Sequence, residues 1–354
     1  MTPIFPKRFL RIATLLMGMA GNLPLASIAP LLSSEQQTRF EFTQVHMGTE
    51  FKIILYATAA DVATRGATAA FNRIGELDTI MSDYNPNSEL MRLCQNGSGQ
   101  SVRVTTDLFR VLSHAQELAA RSSGAFDITV GPVVRLWRQA RARKQLPDPD
   151  RLAESLKLVG YENLRLDPQT GTAQLLKPGM LLDLGGIAKG DAADQSIAVL
   201  KTFGISSALV AGAGDIAASA SPPGTEGWVI GVEPLDPAQK TPSRFFFLHD
   251  GAVSTSGDSE QHLDLAGVRY SHIINPKTGM GLTGHSSVTV VAKNGITADG
   301  LATAVSVLGP ERGLKLVKSY AGAGVLFVLD TGEGVRSHVF RFPENKGQYP
   351  QTRN

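Results

Sequence analysis

The chain of 354 residues has one cysteine, Cys94. A single thiol forms no intramolecular disulfide, so the fold must hold without covalent cross-links even in an oxidising compartment. Cys94 is expected to be a small buried apolar residue rather than a catalytic thiol. The sequence has no Cys/His cluster and no H-E-x-x-H segment, which argues against zinc. It has no G-x-S-x-G elbow, which argues against a serine hydrolase. The net charge is only +2, and the basic residues lack the interleaved aromatics of a strand-binding surface. No nucleic-acid partner is expected. Internal repeats and low-complexity tracts are also absent.

What is present is ordinary globular composition, 42% hydrophobic and 19% charged. The length allows one large domain or two tightly joined ones. The first residues differ from the rest. Lys7, Arg8 and Arg11 precede the apolar run Ile12–Ala20, and Ala26, Ser27 and Ala29 follow. That order is a secretory signal peptide. The run is too short for a membrane span, which needs about 20 apolar residues. An exported, periplasmic protein is expected; an uncleaved leader would tether it to the inner membrane. Lys7-Arg8-Phe9-Leu10 resembles a twin-arginine signal with Lys for the first Arg. No cysteine in the leader offers a lipid anchor. The chain divides into a leader and linker over 1–36, a functional domain over 37–345 and a polar tail over 346–354.

Strands are expected from Phe40 to Ala57 around His46-Met47-Gly48-Thr49, and helices at Asp61–Met81 and Thr105–Ser123. In the second helix Leu108, Val111, Leu112, Ala115, Leu118 and Ala119 share one face, and Gly124 stands where a C-cap belongs. Arg135 to Lys144 reads as a helix with a solvated basic face. Asn163–Leu166, Thr172–Leu176 and Met180–Leu184 read as strands, and Gly186–Phe203 as a helix closed by Gly204. Strands follow at Ser207–Val210, Trp228–Val232, Phe245–His249, Arg269–Ile274 and Ser287–Val291. Helices at Gly300–Leu308 and Glu311–Lys318 precede strands at Val325–Leu329 and Val335–Phe340. Consecutive strands with grouped helices predict an α+β fold with mainly antiparallel sheets and flanking helices, not a doubly wound parallel one.

Gly212-Ala213-Gly214-Asp215-Ile216-Ala217 matches G-x-G-x-x-A after a strand. A dinucleotide fingerprint needs a helix opening there. Here Pro222-Pro223-Gly224 follows shortly, so a tight turn between strands is expected instead. Leu182-Asp183-Leu184-Gly185-Gly186-Ile187-Ala188-Lys189-Gly190 places an acid, two glycines and a helix start in succession. Such a junction exposes N–H groups suited to a phosphate. Lys189 in the first helical turn opposes the helix dipole, which favours an anion in front of it. A capped junction with a surface lysine fits the same residues. Asp299 and Thr303 lie four apart on one helix face and can both offer oxygen to a hard cation such as Mg²⁺, or serve as a helix-start charge and a packed residue. His272, in a strand ending at the Pro276–Gly279 turn, is a candidate general base or a structural histidine.

Together these segments resemble the ApbE family, the FAD:protein FMN transferases. The ordered matches, from about Phe42 to Leu329, are Met47-Gly48-Thr49; Met81 to Tyr84 with Ser88-Glu89-Leu90; Gly124 to Pro132 with Leu136-Trp137; Leu182 to Gly190; Ala211 to Asp215; Thr255-Ser256-Gly257; Ser271 to Gly279; and Ala298 to Thr303. The resemblance implies an α+β fold of two closely joined lobes with FAD in the cleft between them. It implies FAD contacts at Met47, Tyr84, Ala125, Phe126, Asp127, Asp183, Lys189 and His272. Tyr84 and Phe126 are expected to stack on flat rings. Mg²⁺ falls to Gly186 (through its carbonyl), Asp299 and Thr303, with His272 and Asp299 as the catalytic pair. The implied reaction is Mg²⁺-dependent transfer of FMN from FAD to a Ser or Thr hydroxyl, releasing AMP. The implied acceptor is a flavoprotein subunit of a membrane redox complex. An FAD pyrophosphatase and a non-catalytic FAD-binding protein are the alternatives. Two departures stand out: Ala213 where the family often has Gly, and Asn275 where it commonly has Asp. The second is expected to alter how His272 is oriented.

Overall fold

A computed structural model describes residues 36–235, 242, 244–258 and 261–343. The leader reading and the polar tail fall outside the described residues. Strands β1 (Thr38–His46) and β2 (Thr49–Ala57) form a hairpin. Its turn residues Met47 and Gly48 have φ of 49° and 73°, the left-handed pair that suits strand twist. In β2 every second residue, Phe51, Ile53, Leu55 and Ala57, is buried, as expected for a strand with one face on the core. Helix α1 (Ala60–Met81) buries Ala63, Ala67, Ala70, Phe71, Ile74 and Leu77, the 3.6-residue period of an amphipathic helix. Then come α2 (Glu89–Asn96), β3 (Val102–Arg103), α3 (Thr106–Arg121), α4 (Gly131–Arg143), α5 (Pro149–Leu156), β4 (Leu164–Asp167), β5 (Thr172–Leu175) and α6 (Ala188–Thr202). The second half holds β6 (Ser207–Gly212), β7 (Asp215–Ala218), β8 (Trp228–Val232), β9 (Arg244–Leu248), β10 (Gly251–Gly257), β11 (His262–Leu265), β12 (Val268–Ile274), β13 (Gly281–Thr283) and β14 (Ser286–Ala292). Helix α7 (Gly295–Lys318), β15 (Gly324–Asp330) and β16 (Val335–Phe340) complete it.

Eight strands form one sheet in the order β1-β2-β6-β7-β10-β14-β15-β16. Among the described residues every pairing between strands is antiparallel, so the α+β expectation holds. Phe51, Ile53, Val210, Ala252, Val288 and Val325 on one face share a core with residues of α1, α6 and α7. On the other face Leu209, Ala218, Val253 and Leu326 meet Trp228, Ile230, Val232 and Phe246 of the β8–β9 hairpin. A third cluster, Val133, Trp137, Leu263 and Ile274, joins α4 to the small sheet β11-β12-β13. Each fully buried Leu, Ile or Phe contributes roughly 1.5–3 kcal/mol. These clusters stand in for the missing disulfides.

Three local readings need correction. Met180–Leu184 alternates in burial, with Met180, Leu182 and Leu184 buried, but it joins no sheet. Its N–H groups go elsewhere: Asp183 to the Ile128 carbonyl at 2.8 Å and Leu182 to Cys94 Sγ at 3.3 Å. Alternation marks burial, and the ladder needs a partner strand that is not there. At the end of α3 the chain takes two left-handed residues, Ser123 with φ of 54° and Gly124 with φ of 76°. Gly124 is one place further, donating to the Ala119 carbonyl at 2.8 Å. Helix α7 begins at Gly295, five residues earlier than expected, because the Asn294 side chain accepts from Thr297 N–H and caps it. The break expected between Leu308 and Glu311 is present at Gly309, φ 71°.

Candidate functional site

The site is built where α6 begins against α7. Gly190 and Gly295 meet backbone to backbone, each occupying the space a side chain on the other would need. That approach lets Gly190 N–H donate to Asp299 Oδ2 at 3.1 Å. One turn along α7, Thr303 faces Gly186: a methyl group on Gly186 would lie 2.9 Å from Thr303 Oγ1 and 3.4 Å from the Phe126 ring. The structure therefore brings Gly186, Asp299 and Thr303 together. Their donors are a carbonyl, a carboxylate and a hydroxyl, all hard oxygens of the kind Mg²⁺ takes. Among the described residues no group of three or more His, Cys, Asp or Glu side chains could hold a metal.

Asp299 is 3% exposed. Burial pushes its carboxyl up to about 7, the charge of Asp215 adds to the rise, and Lys189 opposes it. Lys189 Nζ lies 3.1 Å from Asp215 and 3.8 Å from Asp299, and it donates to the Gly185 carbonyl at 3.0 Å. Burial acts against its charge, but the two carboxylates outweigh that and hold its pKa well above the usual lysine range. The anion facing Lys189 is thus a protein carboxylate first. Asp215, known from the sequence only as one motif position, lies at the centre of this cluster. It accepts from Ser254 Oγ at 2.6 Å. It follows the two-residue turn between β6 and β7 that replaces the dinucleotide fingerprint, where Ala213 has φ of 53°. A left-handed residue is strained with a Cβ, which accounts for the glycine common there.

A second group stands on α4. Arg138 donates to Asp83 and, at 3.0 Å, to Asp183 Oδ2, and its guanidinium lies 4.0 Å over the Tyr84 ring. Asp183 Oδ1 also accepts from Gly185 N–H at 2.8 Å. Burial raises the pKa of Asp183, and the neighbouring Asp83 raises it further against the pull of Arg138. The basic run is therefore no simple solvated face. Arg135, Arg143 and Lys144 are exposed, while Arg138 and Arg141 are half-buried. Tyr84 is 74% exposed and offers an open ring edge and face for stacking. Phe126 does not: it is buried with its ring under Gly186, so in this structure it supports the junction instead of offering a stacking face. Ala125 is buried beside it. Asp127 also turns inward, accepting from Thr129 N–H at 2.8 Å and Thr129 Oγ1 at 2.6 Å; burial raises its pKa against those bonds. Met47 lies at the β1–β2 turn, tied to α1 by its N–H to Asp78 Oδ2 at 3.1 Å.

His272 is exposed on β12. Its Nδ1 is 3.1 Å from the Gln261 carbonyl, an acceptor only, so Nδ1 carries the proton and Nε2 keeps a free lone pair. Loss of solvent around the ring lowers its pKa, the Gln261 bond raises it, and Arg141 and Lys189 lower it. The expected effect of Asn275 on His272 is not what the structure shows. Asn275 Oδ1 accepts from Lys277 N–H at 3.0 Å and closes its own turn, and Gln261 orients the imidazole. Cys94 is buried, with its thiol pushed up to about 11 by that burial, as an unreactive thiol should be.

The family model described as "ApbE family" matches residues 47–327. An FAD:protein FMN transferase of Vibrio cholerae is 32% identical over 324 residues, spanning 89% of this chain and 95% of its own. One of Treponema pallidum is 33% identical over 299 residues, spanning 80% and 82%. The crystal structure of the ApbE protein of Thermotoga maritima superposes with a TM-score of 0.76 at 30% identity, covering 85% of this chain and 97% of that one. The flavin transferase ApbE of Vibrio cholerae gives 0.77 at 30% identity, covering 86% and 97%. Sequence, fold and the ordered motifs agree, and the chain belongs to the ApbE family.

Proposed function

We propose that this protein transfers FMN from FAD to a hydroxyl side chain of an acceptor protein. The observation that carries the reading is the convergence of Gly186, Lys189, Asp215, Asp299 and Thr303 at one helix junction. The relatives named as FAD:protein FMN transferases support it. In this reading the diphosphate of FAD lies over the start of α6, where backbone N–H groups attract anions. Tyr84 stacks on a ring of the dinucleotide, held from behind by Arg138. His272 Nε2 takes the proton of the acceptor Ser or Thr hydroxyl. The freed oxygen attacks the FMN-side phosphorus in line, the phosphorus–oxygen bond to AMP breaks, and AMP leaves with that oxygen. The acceptor keeps FMN as a phosphoester.

Mg²⁺ held by the Gly186 carbonyl, Asp299 and Thr303 would supply Lewis-acid neutralisation of the phosphate charge. The leader supports export to the periplasm, and acceptors are then flavoprotein subunits of membrane redox complexes facing it. The deciding experiment incubates the protein with FAD, a magnesium salt and an acceptor domain, followed by intact-mass spectrometry of the acceptor. A gain equal to FMN is expected. FAD hydrolysed with no gain would favour the pyrophosphatase instead.

A further inference from the structure

The geometry points to Arg141 as a ligand-binding residue: its guanidinium, which has no protein anion beside it, meets the diphosphate of the bound dinucleotide. This rests on the FAD reading above and extends it to a residue outside the family motifs quoted for this chain. Helix α4 is fixed to the strand that carries His272. The Trp137 Nε1–H donates to the Gly279 carbonyl at 2.7 Å, and the Trp137 ring lies 5.6 Å from that of Tyr270 on β12. Arg141 is four residues after Trp137 and three after Arg138, so it shares a face with both. It lies near enough to Tyr84, Arg138 and His272 for their charges to act on one another.

The three cations of this region differ in one respect. Arg138 is neutralised by Asp83 and Asp183, and Lys189 by Asp215 and Asp299. Arg141 is half-buried too, yet among the described residues its side chain has no ion-pair or hydrogen-bond partner. Burial lowers its pKa, Tyr84 opposes that, and the like charge of Arg138 adds to it. A guanidinium kept partly dry beside another cation, with no anion of its own, is a costly arrangement unless a ligand supplies the anion. Its planar fork suits a phosphate bidentately.

The test compares FAD with riboflavin, which has the same ring system and no phosphate, by titrating each with protein and following flavin fluorescence. Arg141→Gln is expected to weaken FAD binding about tenfold, the size of one charge-assisted hydrogen bond, and to leave riboflavin binding within about twofold of wild type. Arg141→Lys should recover only part of the loss, since it keeps the charge but not the bidentate fork. Unchanged FAD binding in Arg141→Gln would overturn the assignment, as would equal weakening of both flavins, which marks a structural role. A wild-type protein that binds neither flavin would sink the FAD reading and this inference with it, an outcome distinct from a variant that matches a wild type binding FAD well.

Discussion

Replacing Gly190 by alanine places a methyl group against the Gly295 carbonyl and 2.8 Å from Asp299 Cβ. Ordinary carbon contacts are about 3.5–4.0 Å, so α6 and α7 must separate by roughly 1 Å. Overpacking of this kind costs about 1–3 kcal/mol. The better helix propensity of alanine returns roughly 0.5–1 kcal/mol, and a weakened Gly190 N–H to Asp299 bond costs about 1 kcal/mol. The sum is a loss of about 1–3 kcal/mol, or a fall in Tm of roughly 2–5 °C for a domain of this size. The larger effect is on rate. Asp299 and Thr303 move together relative to Gly186, and a 1 Å misplacement costs about 100-fold. Gly75→Ala is the matched control. It lies inside α1, and its added methyl would meet only His46, at an ordinary 3.6 Å. It should gain roughly 0.5–1 kcal/mol and keep full rate. Calorimetry and the acceptor mass assay read both. A Gly190→Ala protein that melts at the wild-type temperature and transfers at the wild-type rate would refute the claim that this backbone contact sets the position of Asp299.

His272→Ala should lower FMN transfer by about 10²–10⁴-fold, with FAD binding kept; full transfer removes His272 from the chemistry. In wild type, kcat/KM should rise with pH as His272 loses its proton, with a midpoint below the ordinary 6.5 because the folded site lowers its pKa; a midpoint above 6.5 contradicts that environment. Chelation of Mg²⁺ should abolish transfer, and Asp299→Ala should do the same at any magnesium concentration; transfer that persists in chelator excludes the metal. Burial pushes the Asp194 carboxyl up to about 6, from 3.8. A raised carboxyl pKa means that the folded state binds the proton more tightly, so this group destabilises the fold above about pH 6, and the penalty fades as pH falls toward 3.8. Chemical denaturation of wild type and Asp194→Asn should therefore show wild type gaining on the variant from pH 7 to pH 4; a constant difference refutes the shift.

Local signals carried much of the architecture. The apolar stripes of α1 and α3 and the period-2 burial of β2 follow from backbone periodicity alone. So do the turn at Ala213-Gly214 and the break at Gly309. Helix spacing likewise set Asp299 and Thr303 on one face. Asp215 left no more trace than one motif position, and Arg138 looked like any solvated charge. Met180–Leu184 alternated like a strand, but nothing local says which carbonyl an N–H will find. Phe126 and Asp127 fell within a motif, yet local sequence does not say whether a side chain lines a cleft or its floor. Sequence by itself determined periodicity, turns, the family and the residue types of the site. Tertiary structure alone decided that two glycines let α6 and α7 touch, that Lys189 meets Asp215 and Asp299, and that Gln261 sets the tautomer of His272. Those are contacts between segments far apart in the chain, and their geometry depends on which backbone segments can approach closely enough to bond.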